Sequence, residues 1–348
     1  MARAHAHRGD GGPLRGGGAA RAARRGGDRA RGRSPDLESL RRLRGIVRTN
    51  LGALDDAERD LDRAMQLARE RAGHDSPELA SLHGAIGNLA RLDGRFDDAL
   101  ASHERALALD RAAWGVDHPR VARDLHNVAG ILRHLDRREE ARARYLEALG
   151  IERARLGEDH PDFGLTSNSL GLLAFEAGDG EEARARWETA RAIFEAHAHE
   201  DLALVRYNLA LLDLREERWE DAAAHARAAI AIDERRLGPD AKRVGAEHLA
   251  LGRALAGDGR TDEARAAFDR ARRVARAVGD PELDAEAAAQ LATLEAPAPV
   301  VARRRRPPAP PIAAAITPAP AEPRAPAPPP IQRQRNGSAA YGPGQAWE

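Results

Sequence analysis

The residues of this chain best placed to do chemistry are its aspartate–histidine pairs. Asp117-His118-Pro119 and Asp159-His160-Pro161 recur 42 residues apart, and Gly73-His74-Asp75-Ser76-Pro77 is a degenerate copy 42 earlier still. An acid beside an imidazole could relay a proton or hold a metal ion. Neither histidine, however, has a second ligand at i+4, the spacing a metal site on a helix needs. The same residues also read as a helix start, with the aspartate capping free N–H groups and proline opening the first turn. On that reading the histidine folds back onto the hairpin loop. His197-Ala198-His199 would put its two rings on different helix faces. The acid pairs Asp97-Asp98, Glu139-Glu140 and Glu181-Glu182 each open a helix, where they favour the positive end of its dipole.

Other catalytic chemistry finds no residues to carry it. The chain has no cysteine, hence no thiol nucleophile, disulfide or thiolate zinc site. Its single lysine, Lys242, follows no glycine-rich loop, which removes a P-loop. Serines and histidines are scattered in no triad order. The expectation is a protein with no enzymatic activity, no catalytic residue, no metal and no cofactor.

The elements that position these residues are written in a repeat. Gly45–Ala57–Ala64, Gly87–Ala99–Ala106, Ala129–Ala141–Ala148, Gly171–Ala183–Ala190, Ala210–Ala222–Ala229 and Gly252–Ala264–Ala271 share one spacing, at steps of 42, 42, 42, 39 and 42 residues. A period of this length means stacked helical hairpins, an all-α solenoid. In the second repeat Leu82, Ile86, Leu89 and Ala90 give one helical stripe, and Ala99, Leu100, Ala106, Leu107 and Leu109 resume it after Gly94-Arg95. The small residues fit where two helix axes approach to the short end of about 8–10 Å. Leu61, Tyr145, Trp187 and Phe268, four residues after the first alanine, fill the space between. Seven residues after the small residue stand Gly52, Gly94, Gly178 and Gly259, suited to a left-handed helix C-terminus, but also Asp136 and Glu217. Arg44, where later repeats have Ile86, Val128, Leu170, Leu209 and Leu251, predicts a solvated terminal repeat.

The triplet resembles the tetratricopeptide repeat (TPR). The segments Trp114-Gly115-Val116-Asp117-His118-Pro119 and Leu156-Gly157-Glu158-Asp159-His160-Pro161, followed by the asparagine-bearing helix Leu125-His126-Asn127-Val128-Ala129, are similar to the repeats of kinesin light chains and their bacterial relatives. The resemblance covers residues 36–295. It implies a right-handed superhelical solenoid of six hairpins closed by a capping helix near Pro281–Leu294. It further implies a ligand groove along the first helix of each hairpin. The groove positions give Asn88 and Arg91, then Arg123, His126, Asn127 and Arg133, then Asn168, Tyr207 and Asn208. An extended, acidic peptide would lie across repeats two to five, with asparagine meeting its backbone and arginine its carboxylates. The alternative is a solvated face. The clamp that TPR co-chaperones use for chaperone tails is not matched, since Asn88 and Asn127 fit it but Gly84, Leu165 and Ser169 replace its three cations.

Composition adds two flanks. The chain is neutral, with 55 basic and 55 acidic residues. Residues 1–35 nevertheless carry nine Arg against two Asp, and residues 296–348 seven Arg against two Glu, so basic tails flank an acidic array. The leader has too few large apolar residues to fold and is expected to be disordered. A misplaced translation start would also yield such a leader. The tail holds fourteen of the 21 prolines and is expected to be an extended spacer. No apolar run of membrane or signal-peptide length occurs, so a cytoplasmic protein is expected. The dominance of arginine over lysine, with abundant Ala, Gly and Pro, points to a bacterial source. Nucleic-acid binding through the tails is disfavoured, because they lack interleaved aromatics. The favoured reading is a scaffold that captures an extended segment of a partner protein, its oligomeric state open. The alternative is a fragment or paralogue of a larger bacterial kinase or nucleotide-switch regulator with a TPR region.

Overall fold

The computed structural model describes residues 35–295. The expected disordered segments, 1–35 and 296–348, lie outside the described residues apart from Pro35. Within them the chain forms thirteen α-helices and one 3-10 turn, Pro77–Leu79, with no strand among the described residues. The helices pair in order: α1 (Pro35–Asn50) with α2 (Leu54–Ala72), α3 (Ala80–Leu92) with α4 (Phe96–Trp114), and α5 (Pro119–His134) with α6 (Arg138–Arg155). Then come α7 (Pro161–Ala177) with α8 (Gly180–Ala196), α9 (Leu202–Arg215) with α10 (Trp219–Leu237), and α11 (Lys242–Gly257) with α12 (Thr261–Val278). A last helix, α13 (Pro281–Glu295), closes the array. Six hairpins and a capping helix are what the resemblance implies.

One backbone latch closes every hairpin. The N–H groups of Ala53, Arg95, Arg137, Asp179, Arg218 and Arg260 donate to the carbonyls of Arg48, Ala90, Leu132, Ala174, Asp213 and Leu255 at 2.8–2.9 Å. This six-to-one bond needs a left-handed residue just before the donor. Glycine serves at four hairpins, as in Gly94 at φ +76°, while Asp136 (φ 58°) and Glu217 (φ 59°) adopt the same conformation at the other two. The turn geometry thus overrides residue preference where glycine is lacking.

The small residue of each first helix sits under a side chain of the second. A Cβ on Gly45 would lie 2.7 Å from Leu61 Cγ, and one on Gly252 would lie 2.5 Å from Phe268 Cδ1. The same holds for Gly87 beneath His103, with 2.6 Å to its ring, a partner the sequence reading did not include. Where the first helix has Ala210, the second has only Ala226, and both are fully buried.

The Asp-His-Pro segments are helix starts, but the cap is the histidine and not the aspartate. His118 Nδ1 accepts from Arg120 N at 3.2 Å, and His160 Nδ1 accepts from Asp162 N at 3.1 Å. His199 does the same toward Asp201 N at 3.1 Å, just ahead of α9. An unprotonated ring nitrogen two residues before an N–H replaces the usual carboxylate or hydroxyl.

The two ends of the array differ. At the C-terminal end, α13 turns Leu283, Ala287 and Leu291 into the core and leaves Ala285, Ala289 and Ala292 exposed. At the N-terminal end Arg44 is exposed, as expected of a solvated terminal repeat, but it is also engaged. With Arg41 and Arg48 it converges on the buried Asp60, whose carboxyl is held below its ordinary range chiefly by Arg44. The outer face of α1 also carries the exposed Leu40, Leu43 and Val47, and Leu51 is exposed in the turn that follows.

Candidate peptide-binding groove

The nine groove residues separate into three groups. Asn88 on α3 and Asn127 on α5 are half-buried, and neither makes a side-chain hydrogen bond among the described residues. Arg91, also half-buried on α3, has no carboxylate partner there, and burial alone lowers its pKa. Its charge is felt by the rings of His103 and His134, both pushed down to about 4 by burial in the first place. This is an unusual arrangement, because taking a guanidinium out of water without a counter-ion is costly.

A second group is engaged inside the protein. Arg133 Nη1 donates to Glu176 Oε1 at 2.6 Å, bridging the third and fourth hairpins with only a tenth of its side chain exposed. Arg123 Nη2 lies 4.0 Å from both Asp110 and Asp124. His126 Nδ1 lies 3.1 Å from Thr166 Oγ1, which donates to Glu152 Oε1 at 2.9 Å. Burial pushes the His126 ring down to about 4, so it is neutral at neutral pH.

The third group is withdrawn from the groove. Asn168 and Asn208 are fully buried, and Tyr207 is 3% exposed. Asn208 Nδ2 donates to Asn168 Oδ1 at 3.2 Å, and the backbone carbonyl of Asn168 accepts from Trp187 Nε1 at 3.1 Å. Tyr207 packs with Ala210, Leu249 and Leu251, and burial raises its phenol to about 12. Side chains with no access to solvent cannot meet a peptide in this conformation, so the expected groove over repeats four and five is filled. Nearly every residue from Phe163 to Phe175 is buried, which explains the loss: α7 is enclosed on the groove side as well as the core side.

The joints between hairpins hold polar residues that the repeat pattern alone did not single out. Near the end of each of the first five second helices, the residue four after the second alanine meets a residue five before the next small residue. In the first joint both are apolar, Ala68 and Leu82. In the next, Asp110 and Asp124 lie together, and burial, opposed by Arg123 and reinforced by Asp110, raises Asp124 well above the carboxylate range. Glu152 meets Thr166 and is pushed up to about 8 by burial. Phe194 and Val205 share one apolar cluster. Asp233, gripped by Arg243 Nη2 at 2.6 Å, lies beside Glu247, whose carboxyl burial and Asp233 raise strongly. Acids at 110, 152 and 233 stand at one repeat position, separated by 42 and then 81 residues, and that periodicity was available in the sequence.

Among the described residues no group of three or more His, Asp or Glu is placed to hold a metal ion, and no helix is long and apolar enough to cross a membrane.

Comparison with known proteins agrees with this geometry. Tetratricopeptide-repeat family models match residues 36–112, 122–162 and 162–235. No curated protein sequence matches the chain. Among solved structures it is similar to BtubC (BKLC) from P. vanneervenii, at 20% identity and a TM-score of 0.56, over 65% of this chain and 91% of that one. It is similar to a putative kinesin light chain with nearly identical TPR-like repeats from Podosopora anserina, at 19% identity and a TM-score of 0.50, over 59% and 98% of the two chains. A Rap protein complexed with competence and sporulation factor matches at 15% identity and a TM-score of 0.54, over 74% and 75%. The recurrent small-residue contacts, the common hairpin latch and the matched family models lead to one conclusion: this chain belongs to the tetratricopeptide-repeat family.

Proposed function

We propose that the protein is a non-enzymatic scaffold that binds an extended, carboxylate-bearing segment of a partner in the groove over repeats two and three. One observation carries this reading: Arg91 is a half-buried cation with no acid beside it, flanked along the groove helices by the uncommitted amides of Asn88 and Asn127. A carboxylate from outside would offset the desolvation of Arg91. An asparagine offers a donor and an acceptor together, which suits an exposed peptide group. The Rap structure shares this fold and its title describes a complex with competence and sporulation factor, which supports a ligand-binding use of the fold. The segment engaged is shorter than the sequence alone implied, because repeats four and five offer no accessible groove amides.

Peptide display against the full chain provides the test. Binders should be enriched in Asp and Glu, and Arg91→Gln should lose at least tenfold in affinity for the best of them with the helical signal unchanged. Retained affinity in Arg91→Gln and in Asn127→Ala would locate binding elsewhere.

A further inference from the structure

The outer face of α1 is an inter-hairpin joint that no described residue covers. In each of the five later hairpins, the residues five before and two after the small residue are buried by the preceding hairpin: Leu82 and Leu89, Asp124 and Ile131, Thr166 and Leu173, Val205 and Leu212, Glu247 and Ala254, none more than 4% exposed. The equivalents on α1, Leu40 and Val47, are 60% and 54% exposed. Leu43 lies between them on the same exposed side of α1, and the exposed Leu51 follows in the turn. A terminal repeat that ended in water would carry polar residues here. The sequence before α1, residues 1–34, contains only Met1 and Leu14 as large apolar side chains.

The charges around the stripe select its occupant. Helix α1 carries Arg41, Arg42, Arg44 and Arg48 against Asp36 and Glu38, and three of those arginines share the single carboxylate of Asp60. A second α1 laid on this face would therefore bring like charges together. Helix α13, at the opposite end, has the inverse character. Its charged residues are Glu282, Asp284, Glu286 and Glu295, with no base; Asp284 and Glu286 are paired with Arg272, Arg276 and Arg253 of their own chain, and Glu282 stands exposed in line with the outward alanines. Its outward positions Ala285, Ala289 and Ala292 are exposed and short, so a ridge of leucine and valine can approach its backbone.

We propose that the α1 face of one chain docks on the outward face of α13 of a second copy, joining solenoids head to tail. The contact uses different surfaces on the two partners, so a pair keeps one free α1 face and one free α13 face, and association continues past two copies. It leaves the groove of repeats two and three outside the interface, and it stands or falls independently of what the groove binds.

Sedimentation velocity of the full chain over a concentration series is the test. The weight-average mass should rise continuously past two copies, and added salt should lower it. Leu43→Glu and Ala289→Arg, both at exposed positions, should each be monomeric, with Val47→Asp as a second variant of the first surface. Mixed in equal amounts, Leu43→Glu and Ala289→Arg should form a one-to-one pair and nothing larger, because each retains one intact end. A wild type that stays monomeric, a mass that stops at two copies, or an Ala289→Arg variant that still self-associates would each overturn the proposal.

Discussion

Gly171 lies directly beneath the indole of Trp187: a Cβ there would stand 2.7 Å from both Cδ1 and Nε1 of the ring. Trp187 is fully buried, and its Nε1 is committed to the carbonyl of Asn168, so the ring cannot swing aside. Gly171→Ala should therefore destabilise the array by about 1–3 kcal/mol through overpacking, outweighing the gain of about 1 kcal/mol in helix propensity. Thermal unfolding would read the loss. An unchanged midpoint would mean that the two helices separate freely.

The left-handed turns predict a change in the opposite direction. Glu217 adopts φ 59° in the latch where four other hairpins have glycine. A non-glycine residue in this region costs roughly 1–2 kcal/mol. Glu217→Gly should raise stability by about 0.5–1 kcal/mol, part of the strain relief being offset by the entropy of a freer unfolded chain. Gly94→Ala, at φ +76°, should lower it by a similar amount.

Stability should fall as pH rises from about 4.5 to about 8. Glu152, pushed up to about 8 from an ordinary 4.5, keeps a proton in the folded chain that the unfolded chain releases. Its contribution is therefore complete below about pH 4.5 and declines as pH rises to about 8, by up to about 1.4 kcal/mol per unit. Glu152→Gln keeps the shape and the hydrogen bond from Thr166 without the titration. Its denaturant midpoint should be flatter than wild type between about pH 5 and 8.

The groove arginines should behave as different kinds of residue. Arg133→Met removes the bridge to Glu176 and should cost about 1–3 kcal/mol. Arg91→Met removes a half-buried charge with no acid beside it and should leave stability unchanged or higher. Chemical denaturation of the two variants side by side separates a strut from a ligand site.

The fold was legible because it rests on close contacts that only small residues allow. Gly45, Gly87, Gly171 and Gly252 mark those contacts in sequence as plainly as in space. The groove was half legible. Helical periodicity places Asn168 and Asn208 on the same face as Asn127, but it cannot say that the fourth and fifth hairpins close over that face while the third leaves it half open. The capping role of His118 and His160 was missed for a related reason. Asp and His both have acceptors within reach of the same N–H, and only backbone geometry decides between them.

The latch that closes the hairpins is the same six times over, whereas the joints between them are not. Hairpins are thus interchangeable words, and the joints are a grammar that fixes their order. Excising the third hairpin would bring Asp110 against Thr166, much as Glu152 meets it now. Excising the fifth would set Phe194 against Glu247 and strand a carboxyl in an apolar seam. The first shortened chain should remain helical and the second should not, so the lineage of such an array can lengthen or shrink only at seams whose two sides agree.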